Sequence, residues 1–487
     1  MAFVFDRQYE HLLRRAGFGA RSDELDTYRR QSFRGAVELL LNYESIEDDV
    51  DGHLMQPGYV QISFNRGLPF SPRTVISDAR QRWLFRMVHT NRPLQEKMTL
   101  FWHNHFATAS GKISSSLGST AEGARYMAAK AAEDPGGVRG QIEMLRDNAL
   151  GNFRNLLVEI AKDTAMLVWL DGRNNVRTRP QENFGREIME LFTMGVGHYA
   201  EQDVYAAARV FTGWNLARAG TDAHLQFAYV AGAHDTADKT FSFPVYRDGS
   251  KTIRARAASE GMQDGLDFID GLAAHPETPR YLGTKLYRFF ISETGNIDGR
   301  WLDRISAVYF RSGYDMKAVM REVLMSGEFW DQAAYFTRYS WPVEFVVRAL
   351  KDVGWNGFGL GEALTPLGNM GQNLYDPPDV AGWDLGQRWF STGSMLARMN
   401  FASTLAANQK GNLAKAVSDA SAGQSPESLL AFVLSGLPAA DFDNAVRNEL
   451  LNYLTATGPW TGSSSQLQAK TSGLVHLVAG SAEYQLA

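Results

Sequence analysis

Apolar residues recur at three- and four-residue spacing along most of this chain, the period of a helix with one face turned inward. The stretches 6–16, 22–43, 71–90, 93–108, 140–148, 151–169, 181–194 and 201–213 carry that pattern. It returns at 260–275, 279–291, 301–311, 315–327 and 341–353. Pro93 stands where a first helical turn tolerates proline, and Glu201 or Asp203 is placed to cap the helix that follows. Residues 224–254 break the rhythm. They alternate aromatic and polar positions between Gly and Asp, which predicts a small β-hairpin or meander. The expected fold is mainly α: one large multi-helix domain over 1–487 with a small β insertion at 224–254. Residues 354–395, rich in Gly, Pro and Trp, predict a long ordered loop. Two or three helices should finish the chain, interrupted by a mobile tip at 457–466.

Composition narrows the classes of function. With 487 residues and 44% hydrophobic content, the chain can bury a large core. A net charge of -5 and a pI near 6.1 offer no overall basic surface to nucleic acid. The absence of cysteine excludes disulfides, thiolate zinc sites and a Cys nucleophile. The first residues, MAFVFDRQYEHLLRRAGFGA, lack the basic segment and long apolar run of a signal peptide. No window approaches the ~18 consecutive apolar residues that cross a bilayer. These readings predict no nucleic acid partner and no membrane insertion, and they place the protein first in the cytoplasm.

The densest polar chemistry lies in RPQENFGREIMELFTMGVGHYAEQDV, residues 179–204. On a helical wheel Phe184, Ile188, Leu191 and Phe192 form one arc, while Asn183, Arg186, Glu187, Glu190 and Met194 gather on the other. A solvated amphipathic helix with i,i+4 ion pairs, each worth about 0.2–0.5 kcal/mol, accounts for that spacing. The functional reading is an arginine-organised carboxylate cluster, largely buried, with one Glu ionised and another raised in pKa as a general acid. On that reading Glu187, Glu190, Arg186 and His198 are the candidate catalytic residues and Asn183 a substrate contact.

A second constellation is LFWHNHFATASGK, residues 100–112. On a helix His103 and His105 lie about 200° apart and cannot ligate one metal, whereas an extended segment would let them. Both are candidates for substrate contact from a polar interior, and a structural role is the better account of at least one. A divalent transition metal held by His103 or His105 with Glu187, His198 and His234 is a further candidate. No dense ligand spacing such as HExxH supports it. Trp383, with Trp389 in the Pro- and Trp-rich 371–401 segment, is a candidate pocket wall or aromatic platform for a sugar-like ligand, with a core plug as the alternative. Trp214, which closes AARVFTGW, is a candidate substrate contact.

These motifs occur in an order that resembles a known family. HLLRRAGFGA, FWHNHFAT, ENFGREIMELFTMGVGHYAEQDV, AARVFTGW, HDTADKTF, HPETPRYLGTKLYRFF, SGYDMKAVMREVLMSGEF and MGQNLYDPPDVAGW follow one another along nearly the whole chain. Together they resemble the bacterial domain-of-unknown-function 1800 family. The resemblance supplies no reaction. It implies a partner, since such proteins are often encoded beside sulfatase- or alkaline-phosphatase-like proteins, many of them with export signals. Carriage out of the cell with a signal-bearing partner is then the alternative to the cytoplasm. The expected function is hydrolysis of a polar, glycan-like substrate by carboxylate acid–base chemistry. The alternatives are a non-catalytic helical scaffold for that neighbour and a His/Glu metal enzyme.

Overall fold

Twelve of the thirteen residues of the helix Pro93–His105 are buried, and among them are Glu96, Lys97, His103 and His105. A helix with no solvated face must find hydrogen-bond partners for its polar side chains within the protein. Glu96 accepts from Trp83 Nε1 at 2.9 Å, from Arg86 Nε at 2.7 Å and from Arg146 Nε at 2.8 Å. Burial alone would push the Glu96 carboxyl up, but Arg146 and Arg86 hold it below its ordinary value. Lys97 donates to Glu344, which also accepts from Arg338 at 2.8 Å and from the Trp341 N–H at 2.8 Å. The helices Ile76–His89, Gln141–Asp147 and Pro342–Val353 are thereby keyed to the central one.

The structure, a computed structural model, describes residues 2–64, 67–243, 252–456 and 458–487, with side chains from residue 7 onward. Among them are 24 α-helices and two antiparallel two-stranded sheets, so the chain is mainly α. The buried apolar side chains form one cluster running from Tyr9 to Tyr484. No helix of the described residues is long and apolar enough to cross a membrane.

Several boundaries move from the expected ones, each for a local reason. The 22–43 stretch splits into Ser22–Arg29 and Phe33–Leu41, because Ser32 caps the second helix by accepting from the Gly35 N–H. The 151–169 stretch splits at Asp163, whose side chain accepts from the Met166 N–H and starts Thr164–Trp169. The hairpin begins ten residues before the predicted insertion. Strand β1 (Trp214–Ala219) pairs with β2 (His224–Tyr229), from Trp214 opposite Tyr229 to Ala219 opposite His224. Strands β3 (Lys239–Thr240) and β4 (Thr252–Ile253) make the second pair. Residues 244–251 of the insertion lie outside the described residues.

The 354–395 segment is a loop only in part, since Gly361–Asn369 is helical. Its remainder is tied to the end of the central helix. The Tyr375 N–H donates to His103 Nε2 at 3.2 Å and the Trp383 N–H to Asn104 Oδ1 at 2.6 Å. The stretch expected as a mobile tip at 457–466 runs into the helix Ser464–Ala479. Trp460 Nε1 anchors it to the Gly423 carbonyl at 3.0 Å, and Gln466 Oε1 accepts from the Thr461 and Gly462 N–H groups. Residue 457 lies outside the described residues.

The Glu96 cluster generates a stability prediction. Truncating one member of a buried charge network leaves the others unpaired, which typically costs about 3–5 kcal/mol. Glu96→Ala should lose about that much in a urea titration followed by far-UV circular dichroism. A loss under about 1 kcal/mol would mean that Arg86 and Arg146 are fully served by their other partners.

Candidate functional site

The acidic helix spans Glu182–Glu190, shorter than the predicted 181–194. Its apolar arc is buried as expected: Phe184 and Ile188 face the core, with Met189 beside them. Gly185 is required by packing, because a Cβ there would lie 3.0 Å from both Ala207 Cβ and Ala208 N of the neighbouring helix, Glu201–Val210. That neighbour is capped by Asp203, which accepts from the Ala200 N–H at 2.7 Å. Beyond Glu190 the chain turns, so the wheel fails for Met194, which is buried in the core rather than on the polar face. Gly195 takes a φ of 82°, in the left-handed region where glycine is favoured.

The polar face is half-buried. Arg186, expected to be largely buried, keeps a third of its side chain exposed and forms a two-point pair with Glu201, one contact at 3.1 Å. That pairing raises its pKa further, and its proton stays on. Glu187, also expected to be largely buried, sits at intermediate exposure. Burial, then the charge of Glu190 one turn away, push the Glu187 carboxyl up to about 7, with Arg186 opposing. Glu190 accepts a hydrogen bond from the Tyr199 hydroxyl.

Opposite stands the helix Glu277–Phe290, which contributes Tyr281 and Lys285. The Tyr281 ring lies against Gly195, and burial followed by Glu190 and Glu187 pushes its phenol up to about 12. It stays a neutral donor. Lys285 Nζ lies 4.8 Å from the Tyr281 ring centre and donates to His105 Nδ1 and to the Leu191 carbonyl, each at 3.2 Å. Burial pushes this ammonium down to about 7. His105 donates through Nε2 to the Phe192 carbonyl at 3.1 Å, which leaves Nδ1 to accept from Lys285. A polar seam thus runs from the central helix through His105, Lys285 and Tyr281 to Glu187, Glu190 and Tyr199.

The remaining candidates sit elsewhere. His198 is exposed beside the seam, its Nε2 3.9 Å from Glu277. Asn183 is exposed and reaches Asp171 at 3.4 Å. His103 is fully buried, and burial pushes its imidazole down to about 3. Trp214 and Trp383 are core side chains, 1% and 4% exposed, so neither presents a face to a dissolved ligand. His234 lies in a separate cluster with Asp264 and Lys239. Among the described residues no three His, Asp or Glu side chains converge as a metal site requires. Tyr199, Tyr281 and Lys285 were not singled out from the sequence. HPETPRYLGTKLYRFF reads as one amphipathic helix among many, and nothing local marks the lysine that ends up without a carboxylate partner.

A family model described as protein of unknown function (DUF1800) matches residues 11–486. No curated protein and no solved structure matches the chain.

The raised Glu187 carboxyl has a thermodynamic consequence. Between its ordinary value of 4.5 and about 7, the folded state binds this proton and the unfolded state releases it. This group therefore lowers stability as pH rises through that window, and its effect levels off above about 7. Glu187→Gln should remove that slope. Thermal melts from pH 4 to 8 are expected to show the variant gaining on the parent as pH rises; parallel curves would place the Glu187 proton elsewhere.

Proposed function

We propose that this chain, which belongs to the DUF1800 family, is a hydrolase that acts on a polar, glycan-like substrate by carboxylate acid–base chemistry. One observation carries the reading. Two glutamates share a helix face one turn apart but differ in environment: Glu187 holds its proton up to about 7, and Glu190 is a hydrogen-bond acceptor fixed by Tyr199. Two carboxyls in unlike surroundings can serve acid and base steps at one pH. In this reading Glu187 gives its proton to the leaving oxygen, and Glu190 takes one from the attacking water. Tyr281 donates a hydrogen bond to the substrate. Arg186 holds Glu201 beside the acidic helix and tempers the Glu187 shift. The aromatic surface expected of Trp214 and Trp383 falls instead to Tyr199 and Tyr281, both only half-buried.

General acid–base groups typically contribute about 10²–10⁴-fold in rate. On a panel of chromogenic glycosides and esters, Glu187→Gln should lose turnover by about that factor while remaining folded. The parent's activity should fall as pH rises through about 7, as the acid loses its proton. Full turnover in both Glu187→Gln and Glu190→Gln would remove these carboxylates from the chemistry.

A second reading rests on the loop beside the site. Val196 is 73% exposed at its tip, next to exposed His198. A non-catalytic scaffold for a sulfatase- or alkaline-phosphatase-like neighbour would use this loop as its contact. Such a partner should co-purify with the parent and be lost from Val196→Glu. Co-purification that survives this change counts against the loop as the contact.

A further inference from the structure

We propose that a cavity between the first helix and the C-terminal helices binds a small organic oxyanion, a phosphate ester or a carboxylate, with Arg14 as its principal contact. The cavity measures about 330 Å³, within the range of small-molecule sites. It lies where Ala2–Ala16 meets the Tyr335–Phe336 turn and the chain joining Pro426–Gly436 to Asn444–Thr455. A neighbouring cavity of about 660 Å³ shares Arg7, Tyr335, Phe336 and Asp441 with it. Neither includes a residue of the acidic helix or of the polar seam.

Charge and pairing point to the ligand. Among the described residues, four arginines, at 7, 14, 29 and 447, line the cavity against two carboxylates, Glu10 and Asp441. Asp441 is already taken by Arg7 at 2.5 Å, and Arg29 reaches Asp26 at 3.3 Å. Arg14 differs from these. It is only 5% exposed, its Nε is buried without a partner, and no hydrogen bond or ion pair from the described residues reaches its guanidinium. Its flat face lies 4.1 Å from the centre of the Phe336 ring, which leaves the donor edge free. Burial and the nearby Arg348 push it down to about 9, so it remains a cation at neutral pH.

A buried guanidinium with unused donors is costly, and a bound oxyanion offsets that cost through two parallel charge-assisted hydrogen bonds. Other interior arginines bond at least one guanidinium donor to a protein group: Arg86 to Glu96, Arg338 to Glu344, Arg398 to the Ser340 carbonyl. The Tyr335 and Phe336 rings with Leu437 and Pro438 supply apolar wall for the body of an organic anion. An inorganic ion alone would leave that wall unused.

Isothermal titration of the full chain with inorganic phosphate, and separately with benzoate, tests the proposal. Saturable one-site binding of at least one probe is expected, weaker at higher salt. Phosphate binding assigns the head group to a phosphate ester, and benzoate binding to a carboxylate. Arg14→Gln should weaken binding by about tenfold or more, as loss of a charge-assisted pair does. Should that variant fail to fold, Arg447→Gln, altered at an exposed side chain, carries the comparison with an expected loss of about threefold. Absence of saturable binding by both probes overturns the site, as does affinity unchanged in every folded variant.

Discussion

A helix buried on every side fixes much of this molecule, because its polar groups must be satisfied by other parts of the chain. From Pro93 to His105 most such groups reach another element, while Thr99 bonds back to the Gln95 carbonyl. Glu96 reaches the arginines of two helices, Lys97 reaches Glu344, and His103 and Asn104 take backbone N–H groups of the 375–383 loop. His105 donates to the Phe192 carbonyl. An unmet donor or acceptor in this interior costs about 1–3 kcal/mol, and an unmet charge more. The bonds act as keys: apolar packing draws the helices together, and the polar pairs decide which segment lies where.

The last of these keys sets the candidate site. Phe192 and Leu191 follow the acidic helix directly, and their carbonyls are held by His105 and Lys285. The turn that presents Tyr199 and His198 is thus anchored to the protein interior at its start. Glu187 and Glu190 lie near enough to the helix Glu277–Phe290 to push the Tyr281 phenol up, and both are half-buried. The FWHNHF motif serves the site from behind, as support.

Burial by itself does not separate structure from chemistry here; pairing does. Glu344 is wholly buried yet held down to about 2, because Arg338 and Lys97 outweigh the desolvation that would raise it. Glu187 is less buried and is driven up to about 7 by that burial and then by the Glu190 charge, with only Arg186, itself engaged by Glu201, opposing. Among the cations burial pushes down both Lys285, whose partners are an imidazole and a carbonyl, to about 7, and Lys97, which has a carboxylate, to about 8. Groups with incomplete pairing remain available to a proton or a ligand.

The sequence by itself determined the helical class, because a three- to four-residue apolar period is local and survives any arrangement of the helices. It also marked Phe184, Ile188 and the acidic arc opposite them, since a wheel needs only a helix. Helix ends were less legible. Ser32 and Asp163 act as caps inside stretches whose apolar rhythm continues across them, and periodicity does not register a cap. Which polar residues face one another was decided only by tertiary structure. His103, Trp214 and Trp383 look like site residues in the sequence and are interior in the fold, while Tyr281 and Lys285 look ordinary and meet the acidic helix across about 90 residues of chain. The physical reason is that a side chain's exposure and its partners belong to the packed interior, and packing joins segments that the sequence keeps apart.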